Sequence, residues 1–167
     1  MQELKDNVRR IQNAAAAGVC VPLAKREKAL AGLAAMLQAE EGQLISALQT
    51  DLGKPEIEAY SAEVAFLRNE VAYARRNLER WAKPKSVSTP LVLKPAQGHI
   101  QSQPLGAALI MGPWNYPFQL SIAPLIGAIA AGNSCMVKPS ELSPSTAETM
   151  AELLPTYLGE DRKSTRL

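Results

Sequence analysis

Only two cysteines, Cys20 and Cys135, occur in the 167 residues. That is too few for a disulfide framework, and a reducing, cytoplasmic setting is the simple expectation. The single histidine, His99, has no metal-type cluster to join, so it is expected on the surface and no metal site is predicted. Aromatics are scarce at 5% while alanine is abundant, which favours helices. Neither sign of charge dominates. The formal net charge is +2, and basic residues are dispersed among acidic ones, so nothing marks a nucleic-acid or membrane partner. The opening MQELKDNVRRIQ has no apolar run behind it, and no secretory signal is expected.

One long segment lacks charge altogether: no Asp, Glu, Lys or Arg occurs between Lys94 and Lys138. A membrane-spanning helix needs about 20 apolar residues in a row. Here Pro104, Pro113, Pro117 and Pro124 interrupt the stretch, with Gly106, Gly112, Gly127 and the polar Asn115 and Gln119. That punctuation fits short strands and one buried helix instead.

What is present divides near Lys83. Residues 1–82 are charged and helical in period. Leu4, Val8, Ile11 and Ala15 suggest a first helix, ended by Gly18, and Pro22 suits the start of the next. Leu23, Leu30, Leu33, Leu37, Leu44 and Leu48 line one face of a longer second helix, with a break possible near Gly42. Residues 51–55, DLGKP, read as a loop. A third helix is predicted over 56–81, where Ile57, Tyr60, Val64, Leu67, Val71, Ala74, Leu78 and Trp81 alternate by three and four. Such a seam suits a coiled-coil dimer, and hence a non-catalytic helical interaction module. It equally suits a helix packed along a domain's flank, preferred because only one segment carries the pattern.

Residues 86–103 have mixed strand character. Leu91, Val92 and Leu93, a turn near Gln97-Gly98 and a run from His99 to Gln103 suggest two strands of a projecting arm. From Pro104 the order changes. Ala107 to Met111 reads as a buried parallel strand. Pro117 opens a helix that Gly132-Asn133 stops, and its apolar surface predicts cover on most sides. Ser134 to Val137 is a second strand. Ser143 as N-cap and Pro144 at the first helical position begin a helix reaching about Tyr157. The fold class is therefore α/β: N-terminal helices, then the first βαβα (104–160) of a Rossmann-like doubly wound parallel sheet, incomplete in itself.

In such a sheet, ligands bind beyond the carboxyl ends of the strands. Two loops are expected there, GPWNYP from Gly112 and KPSE from Lys138. Neither matches G-x-G-x-x-G or G-x-x-x-x-G-K-[ST]. Lys138 could donate to a ribose or phosphate oxygen, Glu141 could accept from ribose hydroxyls, Trp114 offers a flat face and Asn115 an amide donor. By spacing alone, a Lys and a Glu after a strand more often form a solvated loop.

The run PLGAALIMGPWNYPFQLSIAPLIGAIAAGNSCMVKPSELSPSTAETMAELLPTYL resembles the aldehyde dehydrogenase superfamily, with PWNYPF, AIAAGN and KPSE as its marks. The combination of PLG, GPWNYPFQL, PLIGAIAAGN and KPSELSP resembles the class 3 branch, whose relatives include fatty- and coniferyl-aldehyde dehydrogenases. DLGKP, EAY and the Arg-rich helix ending in RW agree with that branch. The resemblance covers essentially residues 1–160 and corresponds to the first third of family members. It implies an NAD- or NADP-dependent oxidation of an aldehyde to a carboxylic acid. Asn115 matches the asparagine whose amide stabilises the oxyanion of the tetrahedral thiohemiacetal. Lys138 and Glu141 match residues that hold the adenosine ribose, and Met111, Gly112, Pro113 and Trp114 match the segment along the cofactor. Tyr116 falls where class 3 enzymes line the substrate funnel. Glu141 would repel a 2′-phosphate, which favours NAD, yet the branch often accepts both. Residues 86–103 match the start of the arm that joins subunits, so a homodimer is implied at full length. A related semialdehyde or acyl-phosphate dehydrogenase shares the fold, but the KPSELSP and PWNYPFQL wording favours class 3.

The resemblance also says what to expect of the cysteines. The family places its nucleophilic cysteine and its general-base glutamate downstream of KPSE, beyond this chain. Cys135 is expected inside a buried strand as a core cysteine and Cys20 in a loop with no base nearby, so neither is expected to be catalytic and the chain alone is expected to be inactive. Residues 161–167, DRKSTRL, resemble the translation of a short-read sequencing adapter and are expected to be foreign to the fold. Without them the acidic and basic residues balance.

Overall fold

The computed structural model describes residues 2–159, so the 161–167 expectation lies outside the described residues. Helices come first: α1 (Gln2–Ala16), α2 (Leu23–Ala39), α3 (Glu41–Leu52), then a helix in three parts. These are α4 (Glu56–Glu58), a π-helical segment (Ala59–Ala65) and α5 (Phe66–Ala82). The break foreseen near Gly42 comes slightly earlier, at Glu40, whose φ is −107°. The π-helical segment is not visible in the periodicity. It shifts the phase of the seam: Val64 is wholly buried, whereas Ile57, seven residues before it, is 74% exposed.

The rest of the seam behaves as a packed flank. Leu67, Val71, Ala74 and Leu78 are buried in the core, and α5 packs against α2 and α6 (Gln119–Ala131). The apolar face a coiled coil would need is therefore filled from within the chain. Trp81, at the end of the helix, is half-exposed and tilted against Tyr73.

The arm differs from expectation. Strands β1 (Lys85–Val87) and β2 (Gly98–Ile100) pair antiparallel, with Ser86 opposite His99. Leu91–Leu93 is a 3-10 turn rather than a strand, with all three residues exposed. Pro90 and Pro95 bracket it, and proline has no N–H for a ladder. His99 is exposed, as expected.

Strands β3 (Ala107–Met111) and β4 (Ser134–Lys138) pair in parallel, from Ala107 opposite Ser134 to Met111 opposite Lys138. Helix α6 connects them and stops at Gly132, whose φ of 86° is the left-handed conformation glycine adopts freely. In β3 only Ile110 is buried; Leu109 and Met111 are exposed. The expectation of a strand buried throughout is corrected for a physical reason: among the described residues, β3 has a neighbour only in β4. Helix α6 buries Ser121, Ile122, Leu125, Ile126, Ile129 and Ala130 but leaves Leu120, Pro124 and Gly127 exposed. No described helix is long and apolar enough to cross a membrane.

Helix α7 (Pro144–Leu158) starts where Ser143-Pro144 predicted, but Ser143 does not cap it. The Ser143 hydroxyl donates instead to the Ser140 carbonyl at 3.3 Å. The cap comes from Asp51, at the end of α3. Its carboxylate accepts from the backbone N–H of Ser145 and of Thr146 at 3.0 and 2.7 Å, and from the Thr146 hydroxyl at 2.7 Å. Burial pushes the Asp51 carboxyl up, but the hydrogen bonds from Thr146 and Ser145 outweigh it and hold it below its ordinary value. A depressed carboxyl pKa stabilises the fold above the unfolded pKa, and that contribution is lost as pH falls through the folded one. Asp51→Ala is expected to cost about 1–2 kcal/mol at neutral pH. In thermal unfolding across pH, the deficit should shrink below about pH 4, where the unfolded carboxyl protonates.

Candidate functional site

The parallel register sets Met111 beside Lys138, and the Gly112 N–H donates to the Lys138 carbonyl at 2.9 Å. Both strands therefore end at one edge, and the two candidate loops leave from it together. The first loop runs from Gly112 to Phe118 into α6, the second from Pro139 to Ser143 into α7. The structure sets Met111 and Gly112 directly beside Lys138, which pairs with Glu141, while Pro113, Trp114, Asn115 and Tyr116 follow on the loop that leaves from Gly112.

The first loop is held tightly at its base. A Cβ on Gly112 would lie 2.0 Å from the Ser121 hydroxyl oxygen, so the backbone passes α6 where a side chain would collide. Ser121 is itself wholly buried and donates to the Pro117 carbonyl at 2.6 Å. Phe118 is wholly buried beneath the loop. By contrast Met111 and Trp114 are more than half exposed, and Asn115 is exposed. Tyr116 is half-buried, with the Lys54 ammonium 3.8 Å from its ring centroid. The loop thus presents an apolar strip beside an amide donor at its tip.

In the second loop Lys138 Nζ donates to Glu141 Oε2 at 2.6 Å. The hydrogen bond from Lys138 is the main cause holding the Glu141 carboxyl below its ordinary value, so it is ionised at neutral pH. Their side chains are 38% and 77% exposed, and a ligand can reach both. A donor beside an acceptor at the carboxyl end of a parallel sheet is the set a ribose diol requires, and the exposed Trp114 and Met111 surfaces suit the flat remainder of a dinucleotide.

Cys20 is buried with Sγ 3.5 Å from the Ser134 hydroxyl. Cys135 lies on β4, part-buried, with Sγ 3.5 Å from the Asn133 carbonyl. Neither forms a disulfide among the described residues, and neither sits at the loop edge.

Reading the sequence missed Lys54 and Glu63. Glu63 is wholly buried, forms an ion pair with Lys54 at 2.5 Å, and accepts from the backbone N–H of Phe118 and of Gln119 at 3.0 Å each. A signal existed. Glu63 is four residues from both Ala59 and Leu67, inside the apolar stripe, where a carboxylate must find partners.

Residues 2–158 match the Aldehyde dehydrogenase family. The chain belongs to that family. Aldehyde dehydrogenase family 3 member A2 of Macaca fascicularis is 44% identical over 158 residues, which are 95% of this chain and 33% of that protein. This agrees with the class 3 character of the loop motifs. AldH of Staphylococcus aureus, in its substrate-bound state, shares the fold with a TM-score of 0.92 at 35% identity over 96% of this chain and 35% of that one. Succinic semialdehyde dehydrogenase from Streptococcus pyogenes, in complex with NADP+ as the cofactor, gives a TM-score of 0.84 over 98% of this chain and 35% of that one. At 21% identity it speaks for the fold alone. The chain spans about a third of the length of these relatives.

Proposed function

We propose that these residues are the N-terminal third of a class 3-type enzyme that oxidises a long-chain or aromatic aldehyde to its carboxylic acid with NAD+ or NADP+. The observation that carries this reading is the common edge of β3 and β4, from which the Asn115 loop and the Lys138–Glu141 pair both leave. Lys138 and Glu141 bind the adenosine ribose, and Met111, Gly112, Pro113 and Trp114 run along the cofactor. When bound, the nicotinamide supplies the hydride acceptor. Asn115 donates its amide N–H to the oxyanion that forms when a cysteine thiolate attacks the aldehyde carbonyl, a charge absent from the free aldehyde. Tyr116 lines the approach of the aldehyde. The attacking thiolate and the base that activates water for thioester hydrolysis come from elsewhere in the full-length protein, since Cys20 is buried and Cys135 lies within a strand.

On the same reading, residues 86–103 begin an arm for homodimerisation, supported by the exposure of Val87, Leu91, Val92, Leu93 and Ile100. A cytoplasmic setting accords with two cysteines that form no disulfide among the described residues. The test is turnover. The full-length protein should generate reduced nicotinamide when given a long-chain or aromatic aldehyde and NAD+ or NADP+, and the 167-residue chain alone should generate none. A helical interaction module would generate none in either form.

A further inference from the structure

Nothing in the reaction just described uses the buried Lys54–Glu63 pair, yet its polar contacts with Phe118, Gln119 and Tyr116 lead to the Asn115 loop. Glu63 is wholly buried on the π-helical segment, and Lys54 is 9% exposed in the turn after α3. One carboxylate oxygen of Glu63 takes the Lys54 ammonium at 2.5 Å. The other takes the N–H groups of Phe118 and Gln119, the last residue of the loop and the first of α6. These are N–H groups that a helix start leaves without carbonyl partners, and the positive end of the helix favours a carboxylate there. The Lys54 ammonium also lies 3.8 Å from the Tyr116 ring centroid. The pair thus holds the loop twice, through its backbone at 118–119 and through the ring of Tyr116, and Asn115 is the next residue.

We propose that Lys54 and Glu63 are positioning residues that set where the Asn115 amide points. A buried ion pair adds little net stability over apolar residues of the same volume. What it adds is direction, because the ammonium, the carboxylate and two N–H groups meet in only one geometry. An oxyanion donor needs that direction, and a displacement of about 1 Å can cost on the order of a hundredfold in rate. The inference rests on the proposed aldehyde oxidation.

The test uses the full-length protein with Glu63→Gln, Lys54→Met and the two combined, each alone and with Asn115→Ala. Glu63→Gln keeps the volume and one carbonyl acceptor but breaks the ion pair. The combined variant leaves no lone buried charge and so guards against misfolding of either single one. Expected is a loss of roughly tenfold to a hundredfold in kcat, with the KM for the cofactor unchanged. In the Asn115→Ala background the same changes should lower kcat no further, because the group they position is gone. Losses that multiply with that of Asn115→Ala, or an unchanged kcat in the combined variant, would overturn the proposal while leaving aldehyde oxidation standing. Absence of turnover in the unmodified full-length protein would overturn both.

Discussion

Asn115→Ala in the full-length protein is expected to lower kcat for aldehyde oxidation by about two to three orders of magnitude, the usual cost of deleting one oxyanion donor. The size follows from where the charge appears. The aldehyde oxygen is neutral before attack and carries a full negative charge afterwards, so a preorganised N–H contributes mainly in the transition state. The KM for the cofactor should change little, because Lys138 and Glu141 lie on the other loop. Folding should be unaffected, since Asn115 is exposed and its neighbours are anchored at Gly112 and Phe118. Steady-state kinetics with saturating cofactor separates these effects. An unchanged kcat would mean that another group holds the oxyanion.

Gly32→Ala is expected to destabilise the protein by about 1–2 kcal/mol, although alanine is the better helix former. The balance is set by one contact. A Cβ at Gly32 would lie 2.2 Å from the Tyr157 carbonyl oxygen, where α7 crosses α2. That oxygen is backbone and cannot rotate away, and α7 is tied down nearby. The Tyr157 hydroxyl donates to Glu40 at 2.5 Å, and the Gln43 amide donates to Glu152 at 3.1 Å. Helix propensity returns at most about 1 kcal/mol, whereas overpacking a tight contact costs roughly 1–3 kcal/mol and sometimes more. Gly42→Ala is the comparison, because a Cβ there meets nothing within 4 Å. Thermal unfolding of the full-length protein should show Gly32→Ala melting several degrees lower and Gly42→Ala at or above the parent. Equal melting temperatures would show that α2 and α7 can move apart without cost.

The parts of the fold written in local punctuation were legible. Strand β3 spans the apolar run between Gly106 and Gly112, α6 stops at Gly132, and α7 begins at Pro144. In each case the signal and the element are adjacent in the chain. What escaped is tertiary. Ser143 marked the start of α7, but Asp51, more than ninety residues earlier in the chain, satisfies its N–H groups. Leu91–Leu93 had strand-forming side chains, yet the prolines around it deny a ladder. The candidate site divides in the same way. The loop residues were legible as motifs, and the structure brings their two loops to one edge. The pair beneath them was legible only as an anomaly, a carboxylate inside the apolar stripe at Glu63; its partners, Lys54 and the N–H groups of Phe118 and Gln119, reach it only through folding.

The most direct test of the central claim is product stoichiometry with the full-length protein in phosphate-free buffer. An aldehyde, NAD+ or NADP+ and water should yield one free carboxylate for each reduced nicotinamide, with phosphate having no effect on rate or product. No reduction of either cofactor, or a product that forms only with phosphate and carries it as an acyl phosphate, would contradict the account.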